Sequence, residues 1–469
     1  MFTNKKFFFF SLFLLLGTLF SINLFAAGST VIASETESVV TPSIYMLLPF
    51  VILLILIATG PLFYKHFWER HYPKISILLG LVTVVYYVYF LKDYHSVIHI
   101  FIEYVSFIAL LSSLFVASGG ILIKIDREAT PIANILFLLF GAVIANVIGT
   151  TGASMLLIRP FIKMNKDRIK PYHIIFFIFL VSNVGGALTP IGDPPLFIGF
   201  LRGVPFLWVI ENVWYIWIPT LLIILLVFYI IDKNNHSKLE TTEAVEYSGK
   251  IEFKGVKNLI YLVVIIVAVF IDPGIMSWVP SLKPLPFGIR EIIMFGVVFL
   301  SYNKAHPDIL KANEFDFEPI KEVAYLFVGI FLTMIPALQL IAIFSQQNHD
   351  MLHATSFYWA TGILSSALDN TPTYLNFLSA AMGKFYLDVN VKSQVIEFIF
   401  KDDIFLRAIS VSAVFFGAMT YIGNGPNFMV KSISERAGIE MPSFFAYLIK
   451  YAIPILIPIY TIIWLIYFS

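Results

Sequence analysis

Long apolar runs separated by short polar segments follow one another along almost the whole chain. A helix needs about 20 apolar residues to cross a bilayer. Two apolar segments, Ile132–Ile158 and Phe357–Met382, are interrupted by Gly, Thr, Asn and Pro, whereas ten others are predicted to cross as helices. Those ten are Ile44–Phe63, Ile75–Leu91, His99–Ile123, Ile174–Leu201, Leu207–Ile231, Leu259–Ile271, Ile289–Tyr302, Val323–Ile343, Ile409–Val430 and Phe444–Phe468. The pattern predicts an all-α polytopic membrane protein with about ten transmembrane helices.

The two interrupted segments decide the predicted topology. The first is too short for two spans, and a basic loop between Arg159 and Lys170 follows it. If this segment returned as a re-entrant hairpin, the basic loop would stay inside, as the positive-inside rule favours. With a second hairpin entering from the outside, 22 of the 31 basic residues lie inside. Irregular backbone at membrane depth needs protein or a water-filled cavity around it, so the hairpins also predict a cavity.

A sequence repeat relates the two halves at an offset of 231 residues. The segment from Gly186 to Phe197 (GALTPIGDPPLF) aligns with the segment from Gly417 to Phe428 (GAMTYIGNGPNF), with seven of twelve positions identical. Shared Gly, Thr and Pro in register are not expected from chance similarity between apolar helices. Because each half has five spans and one hairpin, the second half begins on the opposite face. We therefore expect two repeats of inverted topology, an architecture common among secondary transporters.

These features divide the chain into four parts. Residues 1–27 carry Lys5 and Lys6, a long apolar run and then small residues, which indicates a signal peptide or, if uncleaved, an eleventh transmembrane helix. We expect the first inverted repeat at 44–231, a cytoplasmic linker at 232–257 and the second inverted repeat at 258–468.

Composition narrows the classes of function. Hydrophobic residues make up 59% of the chain and charged residues 13%, with a mean hydropathy of +0.85, so the bilayer is the solvent. The absence of cysteine excludes disulfides, thiolate metal sites and cysteine nucleophiles. A net charge of +1 gives no indication of a nucleic-acid partner. The sequence contains no phosphate-binding loop, so it gives no indication of ATP-driven transport or of an ATPase subunit. No protease or lipase motif is present, and we expect no enzyme activity.

Two carboxylates, Asp193 and Asp369, fall within helix breaks at membrane depth. A charged carboxylate there is costly and persists when it binds a cation, pairs with a base or carries a proton. We expect both to exchange Na⁺ and H⁺, with Na⁺ held by oxygen ligands; the alternative for each is a structural helix cap. Freed carbonyls and helix N-termini would complete the site. The supporting and substrate-binding residues that we expect are Asn146, Thr150, Thr151, Ser182, Asn183, Thr189, Asn370, Thr371, Thr373, Thr420, Asn424 and Asn427.

The segments SNVGGALTPIGDPPLF (182–197) and LDNTPTYLNF (368–377) resemble the ion transporter superfamily, which includes citrate and dicarboxylate carriers, arsenite permeases and NhaD-type sodium/proton antiporters. The pairing of Ile191-Gly192-Asp193 with Asp369-Asn370-Thr371-Pro372 is most similar to the antiporter and arsenite permease branch. The dicarboxylate carriers have Ser-Asn-Thr at the hairpin tips, where this chain has Gly149-Thr150-Thr151-Gly152, although the Pro194-Pro195 pair is shared with carboxylate carriers. The resemblance implies two opposed hairpins and a homodimer in the membrane.

The leading hypothesis is a secondary active transporter, a Na⁺/H⁺ antiporter in which Asp193 and Asp369 exchange the two ions. The alternative is a citrate or dicarboxylate transporter coupled to Na⁺ or H⁺, in which the hairpin N-termini bind substrate carboxylates. A third hypothesis is a membrane-embedded scaffold or sensor that does not transport. We expect a multi-pass protein of the cell inner membrane, with lipid around it and no cofactor besides Na⁺ and H⁺ as transported or coupling ions.

Overall fold

The computed structural model describes residues 41–125, 129–236, 250–282, 285 and 287–469. The predicted signal segment 1–27 lies outside these residues, as do positions 237–249 of the predicted linker. The described chain is almost entirely helical, and eight of its helical stretches are long and apolar enough to cross a membrane. The prediction of an all-α polytopic membrane protein is therefore confirmed.

The first half of the chain contains seven helices and one strand among the described residues. They are α1 (Leu47–Phe63), α2 (Lys65–Val85), α3 (Tyr94–Gly119), β1 (Leu122–Ile125), α4 (Pro131–Met164), α5 (Pro171–Leu180), α6 (Pro194–Arg202) and α7 (Trp208–His236). A π-helical turn, Tyr86–Leu91, continues α2, and a 3₁₀ turn, Val184–Leu188, lies between α5 and α6.

The second half begins with a strand and continues through eleven described helices. They are β2 (Ile251–Lys254), α8 (Lys257–Val269), α9 (Ile289–Lys304), α10 (Pro307–Ala312), α11 (Glu318–Gln347), α12 (Ala354–Ala367), α13 (Asn370–Lys384), α14 (Lys392–Lys401), α15 (Asp403–Phe416), α16 (Gly425–Arg436), α17 (Phe444–Tyr447) and α18 (Ile453–Tyr467). A 3₁₀ turn, Gly417–Met419, follows α15, and a π turn, Leu448–Ala452, joins α17 to α18.

Two helices extend beyond the boundaries that the sequence pattern indicated. Helix α2 begins at Lys65, ten residues before the predicted start at Ile75, because Pro73 sits inside the helix without ending it. The linker was predicted to start at residue 232, yet α7 continues to His236, since Asp232 is buried against the protein and not exposed.

A two-stranded ribbon that the sequence did not predict marks one face of the helical bundle. Strands β1 and β2 pair antiparallel, with Leu122 opposite Lys254 and Ile125 opposite Ile251. The ribbon joins the end of α3 to residues 251–254, which lie in the last part of the predicted linker. We call this side of the bundle the linker face and the opposite side the far face.

Helix α4 is a hairpin folded at Gly149. Gly149 has φ 77° and ψ 154°, a conformation open mainly to glycine, and the two arms of α4 meet on either side of it. At the open end, the side-chain amides of Asn134 and Asn165 bond to each other at 2.9 and 2.8 Å. The rings of Phe137 and Phe161 stack at 5.2 Å. The first arm therefore begins on the linker face and the second arm ends there, as a re-entrant hairpin requires.

Helices α12 and α13 form the second hairpin, which turns at Leu368 and Asp369. It opens on the far face, because α11 starts near β1, where Asn313 just before it bonds Ile121 O at 2.7 Å, and crosses the bundle before the hairpin begins. At the open end, Thr355 Oγ1 donates to the carbonyl of Phe468 at the end of α18. The two hairpins thus enter the bundle from opposite faces.

The turn in α4 gives a test of the hairpin. A Cβ at position 149 would lie 3.2 Å from the carbonyl of Ile191, and φ 77° strains any L residue. We expect Gly149→Ala to destabilise the purified protein by about 1–3 kcal/mol. The matched control is Gly152→Ala, because a Cβ there meets only ordinary contacts at 3.5 Å or more. Thermal unfolding in detergent should show a lower Tm for the first variant alone; equal melting of both would contradict the hairpin geometry.

Candidate functional site

Two helix breaks with the same local structure lie beside the hairpins. After α5 the backbone leaves the helix and becomes extended at Thr189 and Asp193, before α6 starts. After α15 it does the same at Thr420 and Asn424, before α16. Asp193 has φ −138° and ψ 141°, and Asn424 has φ −153° and ψ 141°. The sequence repeat is therefore also a repeat of backbone conformation.

A threonine holds each break against the neighbouring hairpin. Thr189 Oγ1 donates to the carbonyl of Asn146 at 2.6 Å and accepts from the amide of Gly192 at 2.9 Å. Thr420 Oγ1 donates to the carbonyl of Ser366 at 2.6 Å and accepts from the amide of Gly423 at 3.0 Å. Because these hydroxyls satisfy freed backbone groups, they help to shape the breaks.

Asp193 lies where all four broken segments meet. Its side chain is completely buried, and its Oδ1 accepts from Thr150 Oγ1 at 2.7 Å and from Asn424 Nδ2 at 3.0 Å. Its Oδ2 accepts from Asn370 Nδ2 at 2.5 Å. Thr150 belongs to the first hairpin, Asn370 to the second, and Asn424 to the second break. One carboxylate thus binds one residue from each of the other three segments.

The groups that hold the Asp193 carboxylate are all neutral. Asp193 is the N-cap residue of α6, yet its side chain makes no cap hydrogen bond to that helix, and both oxygens are directed to the other segments. Asn370 is also completely buried, and its Oδ1 has no hydrogen-bond partner among the described residues. A buried acceptor of this kind is costly unless something donates to it or coordinates it. The Asn370 Oδ1 and the Asp193 carboxylate are therefore candidate cation ligands.

Asp369 has a different environment. It caps α13, accepting the backbone N–H of Thr371 on Oδ1 at 3.0 Å, and Thr373 Oγ1 donates to its carbonyl at 3.0 Å. Its side chain is half-buried, and its charge repels that of Asp193. The cap that the sequence offered as an alternative is present, and the neighbouring Asn370, not Asp369, touches Asp193.

The remaining predicted asparagines cross-link the two breaks. Asn424 Nδ2 lies 3.1 Å from the carbonyl of Ser182 and 3.3 Å from Asn183 Oδ1. Asn183 Nδ2 donates to Asn427 Oδ1 at 2.7 Å, and Asn427 Nδ2 donates to the carbonyl of Gly417 at 2.8 Å. These amides satisfy one another and the irregular backbone, which leaves Asp193 as the charge at the centre.

Three more predicted residues, Asn146, Ser182 and Thr151, lie on the first hairpin or beside it. Asn146 Nδ2 donates to the carbonyl of Gly185 at 2.6 Å, and its Oδ1 accepts the amide of Leu188 at 2.8 Å. The hydroxyl of Ser182 lies 2.8 Å from that of Ser154 on the hairpin. Thr151 is half-buried and is not one of the three donors to Asp193 in the described structure.

A buried charge cluster at the base of the first hairpin was missed by sequence reasoning. Asp232, completely buried in α7, accepts on Oδ1 from Arg168 Nη2 at 2.5 Å and from Tyr172 OH at 2.6 Å. Its Oδ2 accepts from Asn134 Nδ2 at 3.0 Å. Arg168 lies in the loop that the positive-inside rule had used only as a count of charges. The cluster fixes the hairpin base to α7.

Comparison with known proteins adds a family to this geometry. A family model described as "Putative citrate transport" matches residues 39–468, which includes both hairpins and both breaks. No curated protein matches the chain at a significant level. The matched region is also the region that resembles the ion transporter superfamily in its motifs. The chain therefore belongs to this transporter family, a citrate transporter-like branch of the ion transporter superfamily, and is a multi-pass membrane protein.

Proposed function

We propose that the protein is a secondary active Na⁺/H⁺ antiporter in which Asp193 binds either Na⁺ or H⁺. The observation that carries this proposal is a fully buried carboxylate whose hydrogen-bond donors, Thr150, Asn370 and Asn424, are all neutral. An uncompensated charge at membrane depth costs at least a few kcal/mol. A bound proton or cation removes that cost, so Asp193 is suited to hold one or the other at each stage of transport.

The oxygen chemistry around Asp193 suits a small hard cation. Na⁺ prefers oxygen ligands, and the buried Asn370 Oδ1 without a partner lies on the residue that already bonds Asp193. Asp369, next along the chain, contributes a second negative charge to the same region. Because Na⁺ and H⁺ compete for one carboxylate, outward movement of one ion is coupled to inward movement of the other.

The helix N-termini around the centre favour this assignment over anion transport. An N-terminus stabilises negative charge, and four N-termini begin at the centre, those of α6, α13, α16 and the second arm of α4 after Gly149. Two of them already carry a carboxylate, Asp193 at α6 and Asp369 at α13. A di- or tricarboxylate would meet both of these charges.

The second candidate is a citrate or dicarboxylate transporter coupled to Na⁺ or H⁺. Membership of a family described as "Putative citrate transport" favours it. One feature of the site is compatible with it, since α16 begins at the neutral Asn424 and Gly425 and its N-terminus remains available to an anion. If the protein transports a carboxylate, a cation bound to Asp193 would be transported together with it.

We also propose that the protein lies in the cell inner membrane and that its two halves are inverted repeats. Their movement would expose Asp193 alternately to the two sides of the membrane. The matching backbone at Asp193 and Asn424 and the hairpins that open on opposite faces support this arrangement. Transporters built in this way bind their substrate near the bilayer midplane, between discontinuous helices.

Neutralising the central carboxylates tests the antiport proposal. In everted vesicles with a trapped pH dye, we expect Asp193→Asn to remove Na⁺-induced dequenching, because an amide cannot exchange Na⁺ for H⁺. We expect Asp369→Asn to weaken it, because the second negative charge beside the site is lost. Asp350→Asn is the control, since the Asp350 side chain is 91% exposed on the far face and should leave activity unchanged. Full activity in both Asp193→Asn and Asp369→Asn would disprove the mechanism.

Asn370 gives a test of the cation ligands. We expect Asn370→Ala to raise the KM for Na⁺ roughly tenfold, because a direct donor to Asp193 and a candidate Na⁺ ligand are both lost. The matched control is Asn376→Ala on the same helix, whose Nδ2 bonds only the carbonyl of Pro372 within α13. An equal KM in the two variants would show that Asn370 does not contribute to the ion site.

Proteoliposome uptake separates the two candidates. Labelled citrate should not accumulate with or without Na⁺ if the protein is an antiporter, whereas a Na⁺ gradient should drive proton movement in the same vesicles. Citrate uptake that depends on Na⁺ or on a pH gradient would reverse the order of the two candidates.

A further inference from the structure

Helix α6 begins directly after Asp193, and a buried ion pair holds its other end, on the far face. Helix α6 runs from the central break to Arg202, whose side chain is almost completely buried. Arg202 Nε lies 2.6 Å from Glu103 Oε1, and Nη2 donates to Glu103 Oε2 at 2.7 Å. Glu103 lies on α3 and is itself buried. One charge-assisted hydrogen bond and a second close contact between opposite charges thus link α6 to α3.

The same arginine also links α6 to the second hairpin. Arg202 Nη1 donates to Asn390 Oδ1, in the segment that follows α13. At the central end, Asn370 at the start of α13 donates to Asp193 at 2.5 Å. Between these ends, a Cβ at Gly199 would lie 2.3 Å from Tyr374 OH, so the helices are in close contact. Helices α6 and α13 therefore form one unit that is joined at both ends.

A small cavity lies directly beside this ion pair on the far face. Its polar lining is Ser96, His99, Arg202, Gln339 and Asn390, and its apolar lining includes Ile335 and Leu338 of α11. Asn390 is exposed, so the cavity is adjacent to far-face solvent. Arg202 is the residue common to the cavity lining and to the helix that starts at Asp193.

The linker face has a different arrangement at the corresponding position. Helix α16, the repeat counterpart of α6, ends near the linker face, and its Lys431 pairs with Glu435 of the same helix at 2.7 Å. That pair is partly exposed and joins no second helix. The end of α6 thus carries a buried cross-helix pair where the end of α16 carries a partly exposed pair within one helix, and the buried Arg168–Asp232 pair of the linker face involves neither α6 nor α16.

We propose that the Glu103–Arg202 pair is the far-face gate of the transport path, which blocks solvent from reaching Asp193 while it is intact. This inference rests on the proposed function of Asp193, and it concerns access to the site and not the identity of the ion. Opening to the far face separates α6 and α13 from α3 and exposes both charges to water. Removing either charge leaves the other buried and unpaired, which strongly destabilises the closed state.

A single cysteine reports on the gate, because the chain has no cysteine of its own. Ile335→Cys places a thiol in the cavity lining at a position only 4% exposed. A membrane-impermeant methanethiosulfonate reagent is added from the far face, and the labelling rate is measured. We expect Glu103→Gln and Arg202→Gln on this background to label roughly tenfold faster or more. The reversed pair, Glu103→Arg with Arg202→Glu, should return the rate towards that of the parent.

The control is Arg407→Gln on the same background. Arg407 pairs with Asp403 within α15 at the same face, away from the cavity, so the labelling rate should not change. If the charge variants do not fold, Glu103→Asp decides the question, because it keeps the buried negative charge but shortens the side chain that reaches Arg202. Faster labelling in that variant supports the gate, and an unchanged rate overturns it.

The gate is overturned if Glu103→Gln and Arg202→Gln label at the same rate as the parent and the Arg407→Gln control. Labelling does not require transport, so this result leaves the Na⁺/H⁺ assignment untouched. Faster labelling without Na⁺-driven proton movement would instead support the gate and remove the proposed function.

Discussion

The buried carboxylate of Asp193 is the constraint on which the centre of the molecule depends. A negative charge at membrane depth needs donors that reach it from several directions, and a continuous helix cannot provide them. The two hairpins and two breaks solve this problem, since each places one polar side chain at the same point. Thr150, Asn370 and Asn424 donate to the carboxylate, and Asn183 and Asn427 hold the breaks in place behind them.

The two breaks share their backbone but not their charge. Threonine hydroxyls at 189 and 420 fix both breaks to their hairpins in the same way, whereas the equivalent positions 193 and 424 hold an acid and its amide. The amide donates to the acid at 3.0 Å, so the difference between the halves is itself an interaction across the repeat. A second acid at position 424 would add a charge to the centre and remove this donor.

The residues that meet around Asp193 could be selected from the sequence because their signals are local. Gly and Pro interrupt apolar runs visibly, and an acid within such a break is conspicuous, so Asp193, Thr150, Asn370 and Asn424 could all be named beforehand. The pairs Glu103–Arg202 and Arg168–Asp232 could not, because their members lie 99 and 64 residues apart. Each of these residues alone resembles an ordinary polar residue near the end of a span. The β1–β2 ribbon was not predicted for the same reason. Its two strands have four residues each, lie far apart in the sequence and carry little local signal.

The central claim is that Na⁺ and H⁺ compete for Asp193. Isothermal titration of the purified protein with Na⁺, in buffers of different ionisation enthalpy, counts the protons released on binding. Competition for Asp193 predicts release of a proton with each Na⁺ bound, and loss of that release in Asp193→Asn. Na⁺ binding without proton release in the unaltered protein, or proton release that persists in Asp193→Asn, would contradict it.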